Sequence, residues 1–191
     1  MSSGIVKLSH QEISQNRHTV ETLKDNFKLP VYVLLDSIRS SYNVGSIFRT
    51  SDGAMIKKLF LCGYTPHPPR KDVLKTALGS EESIEWEYCQ NAEDVILQLK
   101  KEGVKICALE QTSDSIPYFN VEKKNYPICL IVGNEIKGVS QNLIDLCDFA
   151  IDIPQYGIKQ SLNVAVAYGI TIFELRKIHE TGNPNHVALV K

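Results

Sequence analysis

Five short, continuously apolar runs separated by stretches of helical length constrain this chain more than anything else in it. VYVLL (31–35), KLFLC (58–62), VKICAL (104–109), ICLIV (128–132) and FAIDI (149–153) are short for helices and lack the polar alternation of a half-exposed strand. A strand that is apolar on both sides must be covered on both sides, and helices do this in parallel sheets. Helical stretches fall between the runs at 43–55, about 71–78, 91–102, 140–147 and 161–179, with a further strand at IEWEYC (84–89). The expected fold class is therefore α/β, a mostly parallel sheet with helices on both faces, formed as one domain over residues 31–180. Ile13, Val20, Leu23 and Phe27 recur at loosely helical spacing before Pro30, so residues 1–30 read as an N-terminal helical extension. Residues 181–191, TGNPNHVALVK, read as a C-terminal tail.

Composition narrows the function classes only slightly. The chain is 43% hydrophobic and 23% charged, a globular balance that excludes collagen-like, low-complexity and disordered classes. Lys plus Arg is 21 and Asp plus Glu is 22, so any nucleic-acid surface has to be a local patch. The five cysteines form no C-x-x-C and sit mostly in apolar runs, which predicts buried free thiols, no metal site and a reducing, cytoplasmic location. The first residues carry no apolar leader core. The apolar stretch 161–175 contains Asn163, Thr171 and Glu174 and is too short for a bilayer, so no membrane association is expected.

The loops leaving three of the strands are unusual. In open parallel sheets ligands bind beyond the carboxyl ends of the strands, and those ends lead into DSIRSSYNVGSIFRT, GNEIKGVS and PQYGIKQSLN. None matches a dinucleotide G-x-G-x-x-G or a phosphate-cradling G-x-x-x-x-G-K-[ST]. GVSQN misses the nucleophile-elbow pattern, and no histidine falls at a predicted strand end to serve a serine nucleophile. What remains is a site rich in Asn, Arg, Glu and Ser. Asn43 stands where an N-cap would, with Arg49 six residues on, about 240° round the helix; alone, the pair reads equally well as a cap and a solvated cation. Gly133, Glu135 and Gly138 suit close backbone approach to a ligand, or a simple strand-to-helix turn. Ser161 could cap the last helix. That helix continues as VAVAYGITIFEL, apolar nearly all round, so burial in the core or at a subunit interface is expected and Asn163 would need buried partners.

Taken together, NVGSIFRTSDG (43–53), LIVGNEIKGVS (130–140) and IDIPQYGIKQSLNVAVA (151–167) resemble, in order and spacing, the three motifs of the SpoU (TrmH) branch of the SPOUT methyltransferases, RNA 2'-O-ribose methyltransferases. The resemblance runs from about residue 31 to 178 and departs at Gln155, where many relatives have methionine.

The resemblance implies a C-terminal deep trefoil knot, which generic topology rules would rank almost last. It implies S-adenosyl-L-methionine as cofactor, held largely by backbone groups at Leu109, Gly133, Ile153 and Leu162, with Gly157 keeping the loop tight. It assigns catalysis to Arg49 with Asn43, Glu135, Ser161 and Asn163: Glu135 positions Arg49 or braces its loop, and the last two hold the catalytic loop and ribose. Arginine stays protonated, so electrostatic stabilisation of a developing alkoxide or a phosphate anchor weighs equally with proton abstraction. The resemblance further implies a homodimer in which the first motif of one subunit completes the site of the other. RNA would lie across Arg39, Arg49, Arg70 and Lys71. Transfer RNA, with guanosine as target, is the favoured substrate and ribosomal RNA the alternative; a non-catalytic RNA-binding assembly factor is the competing class.

Overall fold

The structure is a computed structural model describing residues 4–15 and 28–181. A short helix α1 (His10–Gln15) stands alone in the first segment. The second runs β1 (Leu29–Asp36), α2 (Ser41–Ala54), β2 (Ile56–Cys62), α3 (Lys71–Ala77), α4 (Ser80–Ser83), β3 (Trp86–Cys89), α5 (Ala92–Lys101), β4 (Lys105–Leu109), β5 (Ile116–Pro117), β6 (Ile128–Val132), α6 (Gln141–Ile144), β7 (Phe149–Asp152) and α7 (Val164–Glu180). Of the expected N-terminal extension only the α1 turn and flanking residues are described; Val20, Leu23 and Phe27, like residues 182–191 of the tail, lie outside the described residues.

The seven strands form one sheet in the order β3-β2-β1-β6-β4-β7-β5, and every pairing is parallel. Alternation along each strand divides the core in two. Val31, Val33, Leu35, Leu59, Leu61, Leu130 and Val132 face α2, α3 and α7 on one side; Leu34, Phe60, Ile106, Cys129 and Ile131 face α5 and α6 on the other. The expected α/β class is observed. Two elements were not expected: α4, which sequence reading leaves as loop, and β5, two residues in the loop around Pro117 that add a strand beside β7.

The cysteines are free, with Cys62, Cys107 and Cys129 buried and Cys89 and Cys147 half-buried. Burial pushes the Cys62 thiol up to about 12 and that of Cys147 to about 11, so these groups act as small apolar fillers. No helix among the described residues is long and apolar enough to cross a membrane.

Helix α7 corrects the expected cap. Ser161 is not its cap; Asn163 is, its Oδ1 accepting from the Ala165 and Val166 N–H groups at 2.9 and 3.3 Å. Within one chain, Tyr168, Thr171, Ile172 and Leu175 are covered, while Val166 is 51%, Ile170 38% and Phe173 52% exposed. Those three lie at i, i+4 and i+7, a single outward stripe. The uniform apolarity thus serves two surfaces, of which this chain covers one.

Helices α2 and α3 meet through Gly45, where a Cβ would lie 2.0 Å from Thr76 Oγ1 and 2.5 Å from the Val73 carbonyl oxygen. Glycine here sets the distance between two helices, a role its place in the motif does not reveal.

Candidate functional site

The loops after β1, β4, β6 and β7 emerge at the carboxyl edge of the sheet, the place a parallel fold offers a ligand. Three of them, with the start of α7, enclose a pocket of about 370 Å³, within the range of small-molecule sites. Leu109, Val132, Ile153, Leu162, Val164 and Ala167 supply apolar wall; Glu110, Gln111, Asn134, Glu135, Lys137, Asp152, Gln155, Ser161 and Asn163 supply polar groups.

The loop after β6 is folded on itself. Asn134 and Gly138 exchange both backbone hydrogen bonds, at 3.0 and 2.9 Å, and Gly138 takes a φ of +69°, which favours glycine. Gly133 lies beneath this closure, and a Cβ there would be 2.2 Å from the Gly138 carbonyl carbon and the Val139 nitrogen. Asn134 Oδ1 accepts from the Ile136 and Lys137 N–H groups, and its amide donates to the Ser37 carbonyl at 2.7 Å. Two strand-end carboxylates hold the far side: Glu110 accepts from Val139 N–H at 2.9 Å, and Asp36 from the Ser140 hydroxyl at 2.8 Å.

Glu135 joins this loop to the start of α2. Its carboxylate accepts from the Arg39 N–H at 2.8 Å, the Ser40 N–H at 3.0 Å and the Asn43 side-chain amide at 2.9 Å. Asn43 in turn accepts from the Asn163 amide at 3.2 Å, so one chain of hydrogen bonds runs from α2 through the pocket loop to the cap of α7. Asn43 is therefore a bridge. The cap of α2 is Ser40, whose Oγ accepts from the Asn43 N–H at 3.3 Å. Asn163 is exposed and bonded to Asn43, not buried as its position in an apolar helix suggested.

Burial pushes the Glu135 carboxyl up, but the bonds from Arg39, Asn43 and Ser40 outweigh it and hold the group below the ordinary glutamate value. A depressed folded-state value means the brace is complete above the ordinary glutamate value and is lost as pH falls below it, through the depressed value. Glu135→Gln should accordingly lower stability by about 1 kcal/mol near neutral pH, since the carboxylate is partly solvated. The difference in melting temperature from wild type should close below roughly pH 4; a difference constant down to pH 3 would contradict this.

Of the residues expected at the site, Leu109, Gly133, Ile153, Leu162, Glu135, Ser161 and Asn163 line the pocket, and Asn43 reaches it through its two bonds. Two do not. Gly157 lies outside the lining, exposed, with open space where a Cβ would project and no positive φ, so nothing in this chain demands glycine there. Arg49 is exposed on α2, away from the pocket, and has no hydrogen-bond or ion-pair partner among the described residues. Glu135 braces the loop that precedes α2, not Arg49 itself. Arg39, Arg70 and Lys71 are all exposed. Glu110 and Asp36 were missed, although a carboxylate directly after a buried strand was the signal for both.

The family profile described as the SpoU rRNA Methylase family matches residues 30–173. The chain is 31% identical over 150 residues to the tRNA (guanosine(18)-2'-O)-methyltransferase of Aquifex aeolicus, an alignment covering 78% of this chain and 69% of that protein. Its fold superposes with a TM-score of 0.70 and 30% identity on the crystal structure of the A. aeolicus TrmH/SpoU tRNA modifying enzyme, over 80% of this chain and 77% of that one. It does so with a TM-score of 0.72 and 34% identity on the AdoMet-bound rRNA methyltransferase of Sinorhizobium meliloti, over 77% of this chain but only 56% of the other.

Proposed function

Because this chain belongs to the SpoU rRNA methylase family, we propose that it is an S-adenosyl-L-methionine-dependent RNA 2'-O-ribose methyltransferase with residues 31–180 as its catalytic domain. Transfer RNA is the favoured substrate, with guanosine as the target nucleotide. The observation that carries the reading is the convergence of the second and third motifs on one pocket, to which Glu135 and Asn163 tie Asn43 of the first through hydrogen bonds. Similarity to an rRNA methyltransferase keeps ribosomal RNA as the second reading.

The pocket suits the cofactor chemically. Its wall is apolar, its loop after β6 leaves no room for a side chain at Gly133, and its charged lining is Glu110, Glu135 and Asp152 against Lys137, a balance that favours a cationic sulfonium. S-adenosylmethionine supplies an electrophilic methyl group when bound. Leu109, Gly133, Ile153 and Leu162 would hold it, while Asn43, Glu135, Ser161 and Asn163 fix the loops around the ribose. The 2'-hydroxyl is a weak nucleophile, so in-line positioning and stabilisation of the oxygen as its proton leaves are what the protein contributes. We assign the second task to Arg49, whose permanent positive charge suits an alkoxide or phosphate better than proton abstraction.

Arg49 would come from a second subunit. Its exposure supports this, as does the outward stripe Val166–Ile170–Phe173 on the neighbouring helix, since apolar helix faces are typical of obligate homodimers. We likewise infer the deep trefoil knot of the family; the interior position of β6 and β4 in the sheet, with the chain after β7 returning to the same pocket, supports it.

A labelled-methyl assay on total tRNA and total rRNA, followed by nucleoside mapping, tests the function: a 2'-O-methylated nucleoside is expected, and cofactor-independent RNA binding without transfer to either pool would refute it. Gly133→Val should displace the Gly138–Val139 backbone and weaken cofactor binding at least about tenfold in calorimetry. Unchanged affinity would remove the pocket assignment.

A further inference from the structure

The segment Tyr64-Thr65-Pro66-His67-Pro68-Pro69-Arg70-Lys71 leaves β2 at the same sheet edge as the pocket yet lines none of it. It is pinned at several points. The Tyr88 hydroxyl donates to the Gly63 carbonyl at 2.8 Å, and Thr65 Oγ1 accepts from Ile38 N–H at 3.0 Å and donates to the Cys62 carbonyl at 2.7 Å. The His67 ring lies 4.6 Å from that of Tyr88, and its Nδ1 is 2.8 Å from the Pro68 carbonyl oxygen.

On this fixed loop Tyr64 is 64% exposed, but its hydroxyl is tied down. Asn134 Oδ1 is already committed to two backbone N–H groups, so its amide nitrogen is the donor, reaching the Tyr64 oxygen at 2.8 Å. The ring is therefore anchored through its own loop and through Asn134, a residue of the pocket lining. An aromatic face left in water forgoes burial, and one held in place has already lost its rotamer freedom. Both features favour a flat partner. Arg39, Arg70 and Lys71, on the loop before α2 and at the start of α3, are exposed, and none has an ion-pair partner among the described residues.

We propose that Tyr64 is a base-stacking platform that positions an unpaired RNA nucleotide at the rim of the pocket, with Arg70 and Lys71 meeting its phosphates. The inference rests on the methyltransferase reading and adds a positioning residue to it. RNA is the occupant because a fixed aromatic face and unneutralised cations carried by the same loop match the two recognition elements of single-stranded nucleic acid, stacking and phosphate charge. Unpaired bases can be splayed out of the helical stack and laid on aromatic side chains, and the platform would replace the stacking such a nucleotide loses.

The test is fluorescence anisotropy with labelled total tRNA and labelled fragmented rRNA over a salt series, for wild type and for Tyr64→Ala, Tyr64→Leu, Tyr64→Phe and Tyr64→Trp. Ala and Leu should weaken binding about tenfold, while Phe and Trp should stay within about twofold, because a π-face and not the hydroxyl does the stacking. The slope of log affinity against log salt should be unchanged in all four and shallower by about one in Arg70→Ala. Cofactor affinity in calorimetry should not move. Binding by Tyr64→Ala equal to wild type, Phe as weak as Ala, or a reduced salt slope in Tyr64→Ala would each overturn the platform, since the last two mark a merely structural role. These outcomes need no turnover, so absence of methyl transfer by the wild type would refute the enzyme reading separately; absence of wild-type RNA binding would overturn both.

Discussion

Arg49→Ala should reduce methyl transfer to RNA by at least about a hundredfold, on the scale of losing one preorganised charge-stabilising group, while leaving cofactor affinity intact because Arg49 does not line the pocket. The more informative result comes from mixing it with Gly133→Val. If Arg49 works in the site of its own chain, every mixed dimer has one site lacking the arginine and one lacking the cofactor, and no activity returns. If it works across the dimer, one site of each mixed dimer pairs an intact pocket with an intact arginine. At a cofactor concentration too low to load Gly133→Val, random exchange then restores about a quarter of the wild-type sites from two proteins with little activity of their own. Recovery of activity on mixing, followed by radiometric methyl incorporation, is the expected outcome, and its absence after demonstrated subunit exchange would contradict the shared site.

Gly45→Ala should be strongly destabilising although it adds a single methyl group. Alanine would ordinarily favour a helix over glycine by about 1 kcal/mol, so a surface position would gain stability. Here the added carbon would stand 2.0 Å from Thr76 Oγ1, 2.5 Å from the Val73 carbonyl and 2.9 Å from the Ala77 nitrogen. Thr76 can rotate, but two of the three obstacles are backbone, so α2 and α3 must move apart. Overpacking of this kind costs roughly 1–3 kcal/mol or more, and a net loss of about 2 kcal/mol in chemical denaturation is expected. A stabilised Gly45→Ala would show that the helices separate without penalty.

The strands were legible because a residue buried on both faces leaves an uninterrupted apolar run. Sequence reading recovers β6 at Ile128–Val132 without error and the other long strands to within about two residues of their ends. β5 was not legible, since two residues carry no period and one is a proline. Caps failed for a related reason. Ser40, Asn43, Ser161 and Asn163 are all chemically able to cap, and which one does depends on where the loop can turn. The pocket residues were found through the motif resemblance, but their joint role was not, because the Glu135–Asn43–Asn163 chain links positions 92 and 120 residues apart. Gly45 and Gly157 make the same point in opposite directions. Glycine is silent about its reason, and only the neighbouring atoms reveal that one position has no room and the other has plenty.

The two ends of the sheet limit how copies of this protein can stick together. At one end β5 is two residues long and half of it is Pro117, which has no N–H to offer; at the other, β3 is four residues long and carries Glu87 beside Lys58. Short, charged or proline-bearing borders are poor templates for adding a further strand. Runaway fibre-like growth through the sheet is thereby discouraged, even though its seven strands are rich in valine, leucine and isoleucine. The proposed dimer would instead use the helical surface, where a stripe of finite extent can be satisfied by one partner and then closed.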